Sequence, residues 1–111
     1  MSGGQQGKDP EFRRLVYFLL AASRGCLNRI QILKYLKETP ANANKLASDL
    51  KLDYKTILHH IRVLEQHGLI ASSSKGTYGN AYFLSPYFEA QYSLLEEIWA
   101  KVNKSKTQEA P

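Results

Sequence analysis

Residues 42–70 read NANKLASDLKLDYKTILHHIRVLEQHGLI, and the order of caps, apolar positions and stops in this run decides the fold. Asn42 or Asn44 offers a side-chain acceptor to the first turn of a short helix carrying Leu46, Ala47 and Leu50. After Leu52, Asp53 repeats the device at the head of a longer helix, which runs to about His67 and is closed by Gly68. At about 100° per residue, Ile57, His60, Ile61, Leu64 and Gly68 share one face of the longer helix. That face must pack on the domain. Lys55, His59, Arg62 and Gln66 share the opposite face, which holds two fixed cations, one titratable cation and an amide, with Glu65 off to the side. Two helices joined by a tight turn, the second longer and polar on one side, read as a helix-turn-helix.

On the C-terminal side, Leu69–Ser73 reads as a short strand, Ser74–Asn80 supplies turn chemistry, and Ala81–Leu84 reads as the return strand. Pro86 then starts a last helix, 86–103, with apolar residues at Phe88, Tyr92, Leu95, Trp99 and Val102, a spacing of 4-3-4-3. On the N-terminal side, Leu15, Val16, Leu19 and Leu20 keep helical spacing up to Gly25. A second pattern follows from about Leu27 to Glu38, with Leu27, Ile30, Leu33 and Leu36 or Tyr35 inward, until Pro40 ends it. The predicted order is helix, helix, helix, helix, strand, strand, helix. A reading helix followed directly by a β-hairpin is a winged helix, so the expected class is mainly α. It comprises a three-helix core, a two-stranded wing and flanking helices at both ends.

The polar face of the longer helix has the chemistry a nucleic-acid reader needs. Lys55 and Arg62 can neutralise phosphates or reach guanine O6 and N7, and His59 and Gln66 can hydrogen-bond base edges or phosphates. Tyr54 and Thr56 stand in the first turn, where unpaired backbone N–H groups favour phosphate. Lys75, Tyr78 and Asn80 at the wing tip suit phosphate or minor-groove contact. Charge alone would equally describe a solvated basic face, and Gly76 and Gly79 alone an ordinary turn. The order of the elements is what neither explains.

The run 42–70 also resembles the core of ArsR-type winged-helix repressors, most closely the small archaeal regulators of that kind. The resemblance continues through Tyr78-Gly79-Asn80-Ala81-Tyr82-Phe83-Leu84 and covers about residues 15–100. It implies that residues 53–65 form the recognition helix, with Tyr54, Lys55, His59 and Arg62 toward DNA. One departure matters: metal-sensing members carry Cys pairs or His/Asp clusters, and this chain has a single cysteine, Cys26. His60 and His67 lie seven residues apart, about 10.5 Å along a helix, too far to share one ion. His59 and His60 point about 100° apart. No metal and no cofactor is expected.

Length and charge agree with this reading. A chain of 111 residues with 43% hydrophobic and 23% charged residues is one ordinary globular domain. Its net charge of +5 favours a polyanionic partner. From Arg24 to Asn80 there are nine Lys/Arg against four Asp/Glu, so this middle stretch carries the excess. One cysteine allows no intramolecular disulfide, and the apolar run Leu15–Ala22 is eight residues, far short of the ~20 that span a bilayer. The expected compartment is the cytoplasm. Residues 1–12, polar and Gly-rich, resemble an epitope tag joined to cloning-site residues and are set apart from the domain, 13–103. Residues 104–111 read as a flexible tail.

Catalysis fails on inventory. The acids form no spaced pair beside a histidine, and no phosphate-binding Gly loop, nucleophile elbow or zinc-protease motif is present. The chain is expected not to be an enzyme. The outer helices carry more apolar surface than a three-helix core covers, so Leu15 and Leu19 with Phe88, Tyr92, Leu95, Trp99 and Val102 are candidate contacts of a homodimer. A two-fold protein would match a palindromic double-stranded site. Two other classes fit the same elements: a protein-docking winged helix, which would show apolar anchors on the reading face, and a sequence-neutral architectural DNA binder.

Overall fold

A computed structural model of the chain describes residues 9–22, 25–73 and 81–109, with side chains described as far as residue 102. The helices are α1 (Pro10–Tyr17), α2 (Cys26–Glu38), α3 (Ala43–Leu50), α4 (Tyr54–Gln66), α5 (Pro86–Glu89) and α6 (Ser93–Glu109). A π-helical turn, Phe18–Ala22, continues α1, and the strands are β1 (Ile70–Ser72) and β2 (Tyr82–Leu84). The chain divides into two compact units, residues 31–90 and residues 1–30 with 91–111, the division falling inside α2.

The unit 31–90 holds the helix-turn-helix and the strands of the wing. Asn42, not Asn44, caps α3: its side chain accepts from the Lys45 N–H at 2.8 Å while Asn44 lies exposed within the helix. Ala43 and Leu46 are buried on α3, and Ile57, Ile61 and Leu64 on α4, so the two helices meet along their apolar stripes. His60 joins that buried face at 5% exposure. Gly68 does not. It is exposed just past the end of α4 with φ of 81°, the left-handed conformation that ends a helix. The strands pair antiparallel with Ile70 opposite Leu84, Ala71 opposite Phe83 and Ser72 opposite Tyr82. A further bridge was not legible in the sequence: Ala41 and Tyr82 exchange both backbone hydrogen bonds, at 3.1 and 2.8 Å.

In the other unit α6 packs on α1 and on the π-helical turn. Val16, Leu19, Leu20, Leu94, Leu95 and Ile98 are buried. Arg29 is buried too, at 6% exposure, and its guanidinium donates to the Leu19 carbonyl at 3.2 Å. Burial lowers its pKa. The backbone of a π-helical turn bonds irregularly, and a buried cation answers one of its carbonyls here. Arg29 is therefore a structural cation and not part of the surface excess.

At three places the described elements differ from the expected boundaries. Helix α1 begins at Pro10, so Pro10, Glu11 and Phe12, set apart on composition, belong to a helix: the Asp9 side chain accepts from the Phe12 N–H at 3.1 Å and Pro10 opens the first turn. The helix expected over 86–103 is two helices with a turn at Ala90, Gln91 and Tyr92. A 4-3-4-3 spacing is met equally by two helices, and the i−3 bonds from Leu94 to Gln91 and from Leu95 to Tyr92 open α6 afresh. Residues 104–109, expected as a tail, continue α6 to Glu109, since no Gly or Pro interrupts the sequence before Pro111.

Candidate nucleic-acid interface

Helix α4 positions most of the candidate residues. Tyr54, Lys55, His59, Arg62 and Gln66 are exposed, and Thr56 is half-buried. The adjacent imidazoles separate as the helical projection requires, His59 outward and His60 inward, with ring centroids 5.2 Å apart. Among the described residues no carboxylate lies within ion-pairing distance of Lys55 or Arg62. Their charge is therefore available to an incoming anion. A guanidinium and an ammonium on one helix face can meet phosphate oxygens or the acceptor edge of guanine.

The head of α4 differs from the sequence expectation. One carboxylate oxygen of Asp53 accepts from the Lys55 N–H at 3.0 Å and the Thr56 N–H at 3.3 Å. Two of the donors that were expected to favour phosphate are thus already satisfied by a negative charge. An anion meeting α4 would thus find free donors on its exposed side chains and not at these two backbone N–H groups.

The turn between α3 and α4 contains a residue the sequence reading passed over. Lys51 is exposed with φ of 59°, the one non-glycine residue with positive φ among the described residues. Such a conformation costs a lysine about 1–2 kcal/mol, and the Leu52 N–H bond to the Ala47 carbonyl at 3.0 Å helps to hold it. Its basic type was visible in the sequence; its place in the tight turn was not. Nearby, Asp49 accepts from the Tyr35 hydroxyl at 2.5 Å and pairs with Lys45 at 3.3 Å. The Tyr35 bond and the Lys45 charge hold the Asp49 carboxyl below the usual range, and Tyr35 is raised in turn.

The wing-tip candidates Lys75, Tyr78 and Asn80 lie outside the described residues. The base of the wing is described, and it is tied to α4: the Ser72 hydroxyl of β1 donates to Glu65 at 3.1 Å. Of the candidate dimer contacts, Leu19, Phe88 and Leu95 are buried within the chain itself, while Leu15, Tyr92, Trp99 and Val102 are half-buried. The chain thus covers by itself part of the apolar surface that was assigned to a partner. No group of three His, Cys, Asp or Glu side chains that could hold a metal occurs among the described residues. No described helix is long and apolar enough to cross a membrane.

Residues 27–72 match the family described as bacterial regulatory protein, arsR family. That segment runs from α2 through α4 to the end of β1 and contains every candidate residue of α4. No curated protein matches the chain. Several solved structures do. Reduced HlyU from Vibrio cholerae is 24% identical, with 86% of this chain and 97% of that one covered at a TM-score of 0.62. The homodimeric winged helix-turn-helix DNA-binding domain of Mb0332 from Mycobacterium bovis, described as a possible ArsR-family transcriptional regulator, is 21% identical, with 87% and 85% covered at 0.64. ZitR from Lactococcus lactis, solved in complex with DNA, is 18% identical, with 72% and 56% covered at 0.55. The chain has the winged helix-turn-helix fold. The three proteins are bacterial, so they carry the fold and not the archaeal origin that the sequence resemblance implies.

Proposed function

We propose that the chain is a transcriptional regulator of the ArsR type that binds double-stranded DNA sequence-specifically as a homodimer and represses from a palindromic operator. The observation that carries this reading is the outer face of α4, where Lys55, His59, Arg62 and Gln66 are exposed with no paired acid, on the second helix of a helix-turn-helix. Such a helix enters the major groove with its side chains on base edges. Tyr54 and Thr56 stand at its head, and in this reading Lys75, Tyr78 and Asn80 lie along the backbone. Leu15, Tyr92, Trp99 and Val102 supply the partner contacts. The local match to the arsR family and the homodimeric state given for the M. bovis domain support it. A protein-docking role would call for apolar anchors on α4; of the large exposed apolar side chains described, Phe18, Tyr54 and Tyr87, only Tyr54 lies there.

The test is selection of bound fragments from a random duplex pool, followed by mobility shifts with a variant in which Lys55, His59 and Arg62 are all alanine. All three point away from the buried face, so the variant keeps its helical circular-dichroism spectrum. It loses binding to the selected site, each base-reading contact being worth about 1–3 kcal/mol. A folded variant that binds the selected site as tightly as wild type would remove α4 as the reader. A pool that enriches no sequence, although DNA is bound, would establish the architectural alternative.

A further inference from the structure

We infer that Ser72 is a positioning residue for DNA binding: its hydroxyl parks the Glu65 carboxylate against the wing and so keeps the Arg62 guanidinium uncompensated. The inference rests on the DNA-binding reading of α4. Glu65 is the one acid within α4, and at 100° per residue it stands about 90° from the centre of the Lys55, His59, Arg62 and Gln66 face. It is also three residues from Arg62, the spacing at which oppositely charged side chains on a helix pair. They do not pair: no ion pair between them occurs among the described residues. Glu65 Oε2 instead accepts from the Ser72 Oγ at 3.1 Å.

The tether is built from fixed parts. Ser72 sits in β1 directly opposite Tyr82, and the next residue, Ser73, donates its backbone N–H to the Ala81 carbonyl at 2.9 Å. Its side chain therefore comes from a paired strand and not from a free loop. The Glu65 end has three rotatable bonds. Without the hydroxyl, the carboxylate can swing toward the reading face, pair with Arg62, and repel any phosphate that Arg62 would meet.

The magnitude follows from the helix pair. An exposed i, i+3 ion pair corresponds to about a twofold bias per helix, so loss of the tether weakens binding about twofold per half-site and about fourfold for a two-fold dimer. The experiment measures fluorescence-anisotropy titrations of the selected duplex and of a random duplex with wild type, Ser72→Ala, Glu65→Gln and the double variant. Ser72→Ala is expected to weaken binding to the selected duplex about fourfold. Glu65→Gln retains an acceptor for the hydroxyl without the charge and binds at least as well as wild type. In the Glu65→Gln background, Ser72→Ala has no effect, because there is no charge left to release. If Ser72 merely braces the wing, Ser72→Ala weakens binding equally in both backgrounds, and the inference is overturned. It is overturned also if Ser72→Ala alone binds as wild type. A failure of the underlying reading looks different: the wild-type protein then binds neither duplex.

Discussion

Replacing Gly68 tests the joint between α4 and the wing, and its cost can be worked from the structure. Gly68 has φ of 81°, its N–H bonds the Glu65 carbonyl at 3.1 Å, and the Leu69 N–H bonds the Leu64 carbonyl at 2.9 Å. This is the left-handed helix end that glycine adopts without penalty. A Cβ built at Gly68 meets no atom within 4 Å, so steric overlap adds nothing to the cost of alanine. What remains is the backbone penalty of an L-residue in the left-handed region, about 1–2 kcal/mol. For a domain of this size that corresponds to a fall in Tm of about 4–9 °C. Gly68→Asn should lose less, because asparagine tolerates this conformation. The assay is thermal melting by circular dichroism, with urea unfolding to confirm an unchanged m-value. DNA affinity of the remaining folded protein should hold at 25 °C. A Gly68→Ala protein melting within about 1 °C of wild type would show that the residue is not held left-handed. A loss well above ~3 kcal/mol would show that the added methyl meets a packed neighbour.

The other two expectations concern the unit formed by α1 and α6. Glu97 accepts from the Tyr17 hydroxyl at 2.5 Å and from Arg13 at 2.6 Å, and the Tyr17 bond, with the Arg13 charge, lowers its pKa below the ordinary 4.5. A depressed carboxylate adds stability that is present above its unfolded value and lost as pH falls through its folded value. Urea unfolding at pH 7 and pH 3 should therefore show a larger acid loss for wild type than for Glu97→Gln; equal losses would refute the assignment. Trp99→Ala and Tyr92→Ala should each weaken self-association at least about tenfold, truncated aromatics at an interface being among the costliest changes. Sedimentation of wild-type protein as a monomer at tens of micromolar would remove the dimer instead.

Local chemistry made much of the reading legible. Asp53 could be recognised as a cap because the acceptor and the N–H groups it serves lie within three residues of one another. Gly68 marked the end of α4 for the same reason, and the exposure of Lys55, His59, Arg62 and Gln66 against the burial of Ile57, Ile61 and Leu64 follows from a single period. What the sequence could not supply were choices between equivalent local candidates and between partners distant along the chain. Two asparagines competed to cap α3, and only the observed backbone selected Asn42. The apolar spacing of the last segment survived a break at Ala90–Tyr92, because periodicity counts positions and does not see where the hydrogen-bond ladder stops. Arg29 looked like one more surface cation until the Leu19 carbonyl ten residues earlier gave it a buried partner. The bridge between Ala41 and Tyr82 joins backbone groups 41 residues apart, for which no side-chain pattern exists. The residues of the outer face of α4 were thus determined by the period of one helix. Where the Glu65 carboxylate beside that face is held was decided only when the tertiary fold brought Ser72 to it, because a hydrogen bond across two elements depends on where each backbone lies.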